Sequence, residues 1–166
     1  IDFISVVRDP IARNISAFFE NSWKFIPDPP DSAGLGHTFL LRYPHHVPTT
    51  WFQKQVEETL GIDVFSASFD LNEGYLRAEN GRLRIHILKF ESGMQRIAEQ
   101  LARVTGRDIR AIPHENNSAF KPLGNEYSTL RSELRVPLAL ANELIESRYC
   151  HHFFTSAERQ ALYERW

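Results

Sequence analysis

The chain has 166 residues, of which 42% are hydrophobic and 24% charged, proportions typical of one globular domain and unlike those of a disordered or fibrous protein. Nineteen basic and twenty-one acidic residues give a net charge of -2, which argues against a protein that coats nucleic acid or an anionic membrane surface. We therefore expect a single domain over residues 1–166 with no nucleic-acid partner.

Cysteine usage and hydropathy indicate where such a domain works. Cys150 is the single cysteine of the sequence, so no internal disulfide can form and a reducing compartment is favoured. No apolar run is long enough to span a membrane and no signal peptide opens the chain, so we expect a soluble, cytoplasmic protein. The adjacent pair His151-His152 lacks the spacing of metal ligands, and we expect no metal.

The first predicted elements are a strand and a helix. Residues Ile4–Val7 are typical of a buried strand, which we expect to be central and parallel to a strand at Ile85–Lys89. Asp9-Pro10 joins a favoured N-cap residue to a favoured first helical residue, so a helix begins there. Because the chain opens inside a strand and without Met, we expect that an upstream strand, loop and helix are missing. The predicted apolar face of the helix consists of Ile11, Ile15, Phe18, Phe19 and Trp23.

A long irregular stretch from Lys24 to Pro48 follows this helix. It is rich in Pro and Gly, and loops of such length are often functional or mobile. We expect it to cover a cleft and to move more than the sheet. Thr50 and Gln53 then form a capping box for a helix that ends at Gly61.

Strand patterns dominate from Ile62 to Phe90, and helical patterns dominate afterwards. Asn80-Gly81 lies between two strand-like runs and predicts a β-hairpin. Ser92 and Gln95 are expected to cap the next helix, and Thr155 with Glu158 forms a further capping box. The later helices are predicted near 127–135, 137–149 and 156–166. Together the pattern predicts an α/β fold, a parallel sheet with a β-hairpin and a helical C-terminal part.

The junction between the first strand and helix carries the most informative polar residues. In an open parallel sheet, ligands bind beyond the carboxyl ends of the strands, where Arg8 stands. Ser16 lies about two helical turns later, so both side chains can reach one phosphate, and Arg13 lies on the same stripe as Ser16. The alternative is an Arg paired with an acidic residue and a solvated helical Ser.

This junction resembles the 3'-phosphate-binding motif of sulfotransferases that use 3'-phosphoadenosine 5'-phosphosulfate, in which a strand delivers an Arg and the next helix a Ser eight residues later. Most of the chain is similar to bacterial sulfotransferases of the capsular-polysaccharide type. The further segments that carry this resemblance are Trp51-Phe52, Leu60–Phe65, Phe69-Asp70, Gly74-Tyr75, Ile87–Glu91, His152–Thr155 and Trp166.

The resemblance implies a P-loop-like sulfotransferase fold and transfer of a sulfuryl group to a hydroxyl or amine of a carbohydrate acceptor. It implies an adenine nucleotide bound by Arg8 and Ser16, with Lys121 in a basic loop over it, and no metal. The reaction needs a base near the acceptor, for which His37, His45 and His46 are weak candidates.

The family's phosphosulfate-binding loop is the main departure from this pattern. No Gly-rich basic loop precedes Arg8 in this sequence. Two alternatives to the enzyme therefore stay open at this point. One is a non-catalytic sulfotransferase-like remnant that binds a nucleotide or a partner without turnover. The other is a nucleotide phosphotransferase of related topology, whose triphosphate-binding loop is equally missing.

Overall fold

The computed structural model describes residues 1–25, 34–112 and 123–166, and its three strands form one mixed sheet in the order β1-β3-β2. The strands are β1 (Asp2–Val7), β2 (Tyr75–Asn80) and β3 (Leu83–Lys89). β1 is parallel to β3, and β2 is antiparallel to it across a turn in which Gly81 has a φ of 59°. The predicted hairpin and the predicted parallel pairing of β1 with β3 are both confirmed. One of the two pairings is antiparallel, so the sheet is mixed and not purely parallel. Together with the helices it forms an α/β fold.

The position of β1 differs from the prediction. Among the described residues β3 lies between the other two strands, so β1 is at the edge of the described sheet and the expectation that it is central was wrong. Val7 is 1% exposed, whereas Val6 is 50% and Ile4 43% exposed. Val7 at the end of one face packs in the core, while the face of β1 that carries Ile4 and Val6 meets little of the described chain. A continuous apolar run cannot distinguish this arrangement from a strand that is buried on both faces.

Ten α-helices are described in the same three ranges. The short helix at Val47–Trp51 continues through a π-helical turn at Phe52–Glu57 into the helix at Glu58–Leu60, and 3-10 turns lie at Val64–Ser66 and Phe90–Ser92. The helices are α1 (Pro10–Glu20), α2 (Ser22–Phe25), α3 (Leu35–Arg42), α4 (Val47–Trp51), α5 (Glu58–Leu60), α6 (Met94–Thr105), α7 (Gly124–Glu133), α8 (Leu138–Ile145), α9 (Arg148–Phe153) and α10 (Ser156–Arg165).

Two of the predicted caps are confirmed. The carboxylate of Asp9 accepts hydrogen bonds from Ile11 N and Ala12 N at the start of α1. Thr155 and Glu158 form a complete capping box at α10, in which each side chain bonds to the other residue's backbone. Both signals depend only on neighbouring residues, which explains why they can be found in the sequence.

Two other predicted caps were wrong. The helix begins at Val47, so Thr50 lies inside it and its hydroxyl donates to His46 O instead of capping. Ser92 ends a 3-10 turn, and Gly93, with a φ of 91°, takes the N-cap position of α6. Only glycine adopts that backbone conformation without strain.

The core consists of two clusters on either side of the junction after β1. The first packs α1 against α3, α7, α8 and α10, and the predicted face of α1 is confirmed for Ile11, Ile15 and Phe18, which are each at most 1% exposed. Trp23, the last residue of that predicted face, is 76% exposed because it lies beyond the end of α1. The second cluster packs the sheet against Phe52 and α9.

The stretch from Lys24 to Pro48 is not irregular where the structure describes it. Residues 35–42 form α3, and Phe39 on this helix is 1% exposed. Its ring lies 5.4 Å from that of Phe18 and 5.6 Å from that of Tyr43. This part of the predicted mobile lid therefore belongs to the core, while residues 26–33 lie outside the described ranges.

Replacing Phe39 with Ala tests whether α3 is a structural part of the core. We expect Phe39→Ala to lower the free energy of unfolding by about 3–5 kcal/mol, because a buried aromatic ring is lost and a cavity remains. Leu41→Ala on the same helix, where the side chain is 69% exposed, should change it by less than about 0.5 kcal/mol. Urea denaturation measures both values, and equal small effects would mean that α3 does not belong to the core.

Candidate functional site

The candidate site lies where β1 and β3 end. Because these strands are parallel, their carboxyl ends meet at one edge of the sheet, which brings Arg8 beside Phe90 and Glu91. The guanidinium carbon of Arg8 lies 4.6 Å from the centre of the Phe90 ring, within the range of a cation–π contact. Phe90 itself is 36% exposed, so the Arg8 side chain borders solvent.

Arg8 and Ser16 meet, together with a tyrosine that comes from α7. Arg8 Nη1 donates to Ser16 Oγ at 3.3 Å, across the eight residues that separate them. Ser16 Oγ lies 3.3 Å from the hydroxyl oxygen of Tyr127. The structure thus brings two of the three predicted site residues together, and Lys121 lies outside the described residues.

The hydrogen-bonding capacity of Ser16 is fully used in this arrangement. Its hydroxyl donates to Ala12 O at 3.0 Å, one helical turn earlier. A hydroxyl has one hydrogen and two lone pairs, so the oxygen can accept from both Arg8 and Tyr127. An anion placed among the three side chains could instead receive hydrogen bonds from all of them.

No carboxylate among the described residues forms an ion pair with Arg8. The sequence left open that Arg8 pairs with an acidic residue, and the described ranges contain no such pair. Its side-chain partners among the described residues are the hydroxyls of Ser16 and Tyr127 and the ring of Phe90, none of which carries a charge. A partly buried guanidinium without a counter-ion leaves positive charge and free N–H donors, which favours an anionic ligand.

The electrostatics of Tyr127 reflect this positive charge. Burial alone would raise the pKa of Tyr127, but the hydrogen bond with Ser16 and the charges of Arg131 and Arg8 outweigh it, so the pKa is lowered from its ordinary value. The charges of Arg131 and Arg8 stabilise a negative oxygen, and so does the Ser16 hydroxyl when its hydrogen turns from Ala12 O to the ionised Tyr127. The same environment would stabilise a phosphate oxygen at that point.

The backbone of Arg8 is fixed by Tyr149 from α9. The Tyr149 hydroxyl accepts from Arg8 N at 2.9 Å and donates to Arg8 O at 2.8 Å, so one side chain satisfies both backbone groups. Burial raises the pKa of Tyr149, which keeps this hydroxyl protonated and able to donate. The direction in which the Arg8 side chain leaves the strand is therefore set by the core.

Asp9 fixes the next residue of the junction. Its Oδ1 caps α1, while Oδ2 accepts from Trp166 Nε1 at 2.9 Å. Its backbone N–H donates to Glu91 Oε1 at 2.8 Å. The end of β1, the end of β3 and the last residue of the chain are thereby held together.

Arg13 does not join the Arg8–Ser16 contact. Its Nη1 donates to Tyr43 OH at 3.1 Å and to Asn14 Oδ1 at 3.3 Å. Arg13 and Arg8 nevertheless both line a small cavity of about 160 Å³ at the end of β1, which Trp51 also borders. Two cations therefore face the same space from neighbouring elements.

The three histidines proposed as bases occupy different environments. His45 is 9% exposed, and its Nε2 contacts the carbonyl oxygens of Phe39 and Leu40 at 3.0 and 3.3 Å. Carbonyl oxygens only accept, so this nitrogen carries the hydrogen, and burial lowers the pKa of His45. His45 therefore has a structural role, whereas His37 and His46 are exposed on α3 and before α4.

Three residues of the site were missed by sequence reasoning. Tyr127 lies 111 residues from Ser16 in the sequence, and Tyr149 lies 141 residues from Arg8. No local sequence pattern indicates either contact. Glu91 is different, because it lies only two residues beyond the end of β3. The rule that identified Arg8, a polar residue at the carboxyl end of a parallel strand, could have identified Glu91 as well.

Residues 1–25, 34–112 and 123–166 contain neither a cluster of metal ligands nor a membrane-spanning helix. No group of three or more His, Cys, Asp or Glu side chains in those ranges is placed to hold a metal ion. None of the helices described there combines the length and the apolarity that a membrane span requires.

Comparison with protein families gives one match. The model of a family named NKWYS, described as "putative capsular polysaccharide synthesis protein", matches residues 35–155. This range includes Lys121 and Tyr127 but begins after Arg8 and Ser16. No curated protein and no solved structure matches the chain.

Removing the Ser16 hydroxyl tests the contact between Ser16 and Tyr127, because this contact affects the ionisation of Tyr127. We expect Ser16→Ala to raise the pKa of Tyr127, since the hydrogen bond with Ser16 is the largest of the effects that lower it. An ultraviolet titration of tyrosinate, with Tyr127→Phe to identify the signal, measures the change. Ser132→Ala on α7 removes an exposed hydroxyl and should leave the titration unchanged; an equal shift there would contradict the assignment.

Removing the Tyr149 hydroxyl tests how the Arg8 backbone is held. Tyr149→Phe should lower the free energy of unfolding by about 1–3 kcal/mol, because Arg8 N and O lose their partner. Tyr163→Phe is the matched control, since its hydroxyl bonds to Asn142 and Glu146 at the surface, and it should cost less than about 0.5 kcal/mol. Chemical denaturation that gives equal values for the two variants would refute this role.

Proposed function

This chain belongs to the NKWYS family of putative capsular polysaccharide synthesis proteins, and we propose that it transfers a sulfuryl group from 3'-phosphoadenosine 5'-phosphosulfate to a carbohydrate. The observation that carries this proposal is the contact of Arg8 with Ser16 at the carboxyl end of β1, where Arg8 has no carboxylate partner among the described residues. In the sulfotransferases that the junction resembles, an Arg and a Ser at this spacing bind the 3'-phosphate of the donor.

The local chemistry suits a phosphate. The Arg8 guanidinium has further N–H groups besides the one that Ser16 uses, and a planar guanidinium can bind two phosphate oxygens at once. The hydroxyls of Ser16 and Tyr127 supply two additional donors beside it. A phosphate dianion would supply the negative charge that Arg8, Ser16 and Tyr127 do not provide.

The rigidity of the junction also supports a binding role. The Tyr149 hydroxyl holds both backbone groups of Arg8, and Asp9 begins α1 in the next position. Ser16 therefore keeps a fixed distance from Arg8 along the helix. A site on such elements is preorganised, so little conformational entropy is lost when the ligand binds.

The transfer step makes defined demands on the rest of the site. An acceptor oxygen or nitrogen forms a bond to sulfur, and the bond between sulfur and the bridging oxygen breaks. That oxygen leaves with the electron pair as part of adenosine 3',5'-bisphosphate, and the acceptor's proton passes to a base. We propose that Lys121 adds a cation over the nucleotide phosphates, as the resemblance implies, and that the acceptor is a capsular polysaccharide.

Calorimetric titration with two nucleotides tests the donor site. Adenosine 3',5'-bisphosphate and adenosine 5'-monophosphate differ in the 3'-phosphate alone. Arg8→Ala should weaken the bisphosphate roughly 10- to 150-fold, because a charge-assisted contact is lost, and Ser16→Ala about 2- to 12-fold. Both substitutions should leave the affinity for the monophosphate nearly unchanged.

Arg42→Ala controls for the loss of one positive charge, since Arg42 is exposed at the end of α3. Equal weakening of both nucleotides by Arg8→Ala would mean that Arg8 does not bind the 3'-phosphate. Nucleotide binding without transfer of labelled sulfate to a capsular polysaccharide would favour the non-catalytic alternative. Absence of binding to the parent chain would remove the donor site altogether.

A further inference from the structure

A second polar pocket lies on the sheet beside the starts of β1 and β3, and Asp2 in its lining is about 20 Å from Arg8 along the six residues of β1. It has a volume of about 290 Å³ and is lined by residues of all three strands and of α6. Asp2 and Arg84 lie opposite each other at the start of β1 and β3, whereas Arg8 follows the end of β1. The pocket is therefore separate from the candidate donor site.

Three arginines line this pocket. They are Arg77 on β2, Arg84 on β3 and Arg103 on α6, and Asp2 is the one carboxylate among the described lining residues. Arg84 pairs with Asp2, its Nη2 donating to Oδ2 at 2.8 Å. Arg77 and Arg103 pair with Glu79 and Glu73, which do not line the pocket. The lining thus carries more positive than negative charge.

A chain of hydrogen bonds orients the acceptors of the pocket. His86 Nε2 lies 3.0 Å from Asp2 Oδ1, and His86 Nδ1 lies 2.7 Å from the Tyr75 hydroxyl. An ionised carboxylate only accepts, so Nε2 of a neutral imidazole carries the hydrogen and Nδ1 accepts one from Tyr75. The lone pairs of the Tyr75 oxygen are then left to accept a further hydrogen bond.

Gln100 on α6 supplies an independent sign that a ligand belongs here. The residue lines the pocket and is 2% exposed, and its side-chain N–H donates to Glu73 O. Its Oε1 is buried and has no hydrogen-bond partner among the described residues. A buried acceptor without a partner costs free energy, which a ligand hydroxyl would recover.

We propose that this pocket binds an acidic sugar, a monosaccharide unit that carries one carboxylate or phosphate. The guanidinium groups of Arg77, Arg84 and Arg103 would hold the anion, and sugar hydroxyls would donate to Gln100 and Tyr75. A volume near 290 Å³ is close to the lower limit for ligand pockets, about 300 Å³, and suits one sugar unit. The proposal goes beyond sulfuryl transfer, because it does not require the donor nucleotide.

The test is a nuclear magnetic resonance titration of the isotope-labelled chain with four probes. D-glucuronate and D-glucose 6-phosphate carry an anion on a sugar, D-glucose has no charge, and acetate has no sugar hydroxyls. The two anionic sugars should shift the side-chain amide signal of Gln100 saturably, and the tighter of them identifies the preferred anion. D-glucose and acetate should each bind at least about tenfold more weakly.

Two variants complete the test. Arg103→Gln removes a cation that is 66% exposed and should weaken binding of the anionic sugars about fivefold. Arg107→Gln makes the same change just beyond α6, outside the pocket, and should leave the affinity unchanged. Equal binding of acetate or D-glucose, no shift of Gln100 with either anionic sugar, or equal effects of the two variants would overturn the proposal. Nucleotide affinity at Arg8 should be the same in both variants.

Discussion

The carboxylate of Asp9 is the constraint on which the geometry of the strand–helix junction depends. Asp9 is 3% exposed, and a charge removed from water to this degree is tolerated only when hydrogen bonds replace its hydration. One oxygen accepts from the first turn of α1 and the other from Trp166, 157 residues away. Because the same residue donates its N–H to Glu91, the start of α1, the end of β3 and the C-terminus are fixed relative to one another.

This constraint explains why the two predicted binding residues meet. With α1 starting directly after Asp9, Ser16 lies about two turns along the helix, within reach of a long side chain from Arg8. Tyr149 holds the Arg8 backbone, and the Phe90 ring supports its guanidinium. The hydroxyls and aromatic groups around Arg8 orient it, and no carboxylate of the described residues pairs with it, which is the basis for proposing an anionic ligand there.

The parts of the fold that could be predicted from the sequence depend on neighbouring residues. The cap at Asp9, the turn at Gly81 and the capping box at Thr155 are local, as is the spacing of Arg8 and Ser16. The edge position of β1, the burial of α3 and the contact of Tyr127 with Ser16 are set by residues far away in the chain. No periodicity within one segment contains that information, because tertiary packing decides it.

Two cations at one edge of the sheet, Lys89 and Arg8, show how the balance of charge distinguishes a ligand site from a structural ion pair. Lys89 is 2% exposed at the end of β3, but Glu158 lies 2.6 Å from its Nζ, and the Phe154 ring covers it. That cation is both paired with a carboxylate and buried, so a ligand cannot reach it. Arg8 directly follows Val7, the residue of β1 that pairs with Lys89. It has hydroxyl and aromatic partners but no carboxylate partner among the described residues. This contrast between two cations at the same edge of the sheet is the reason why we propose Arg8, and not Lys89, as the group that binds an anion.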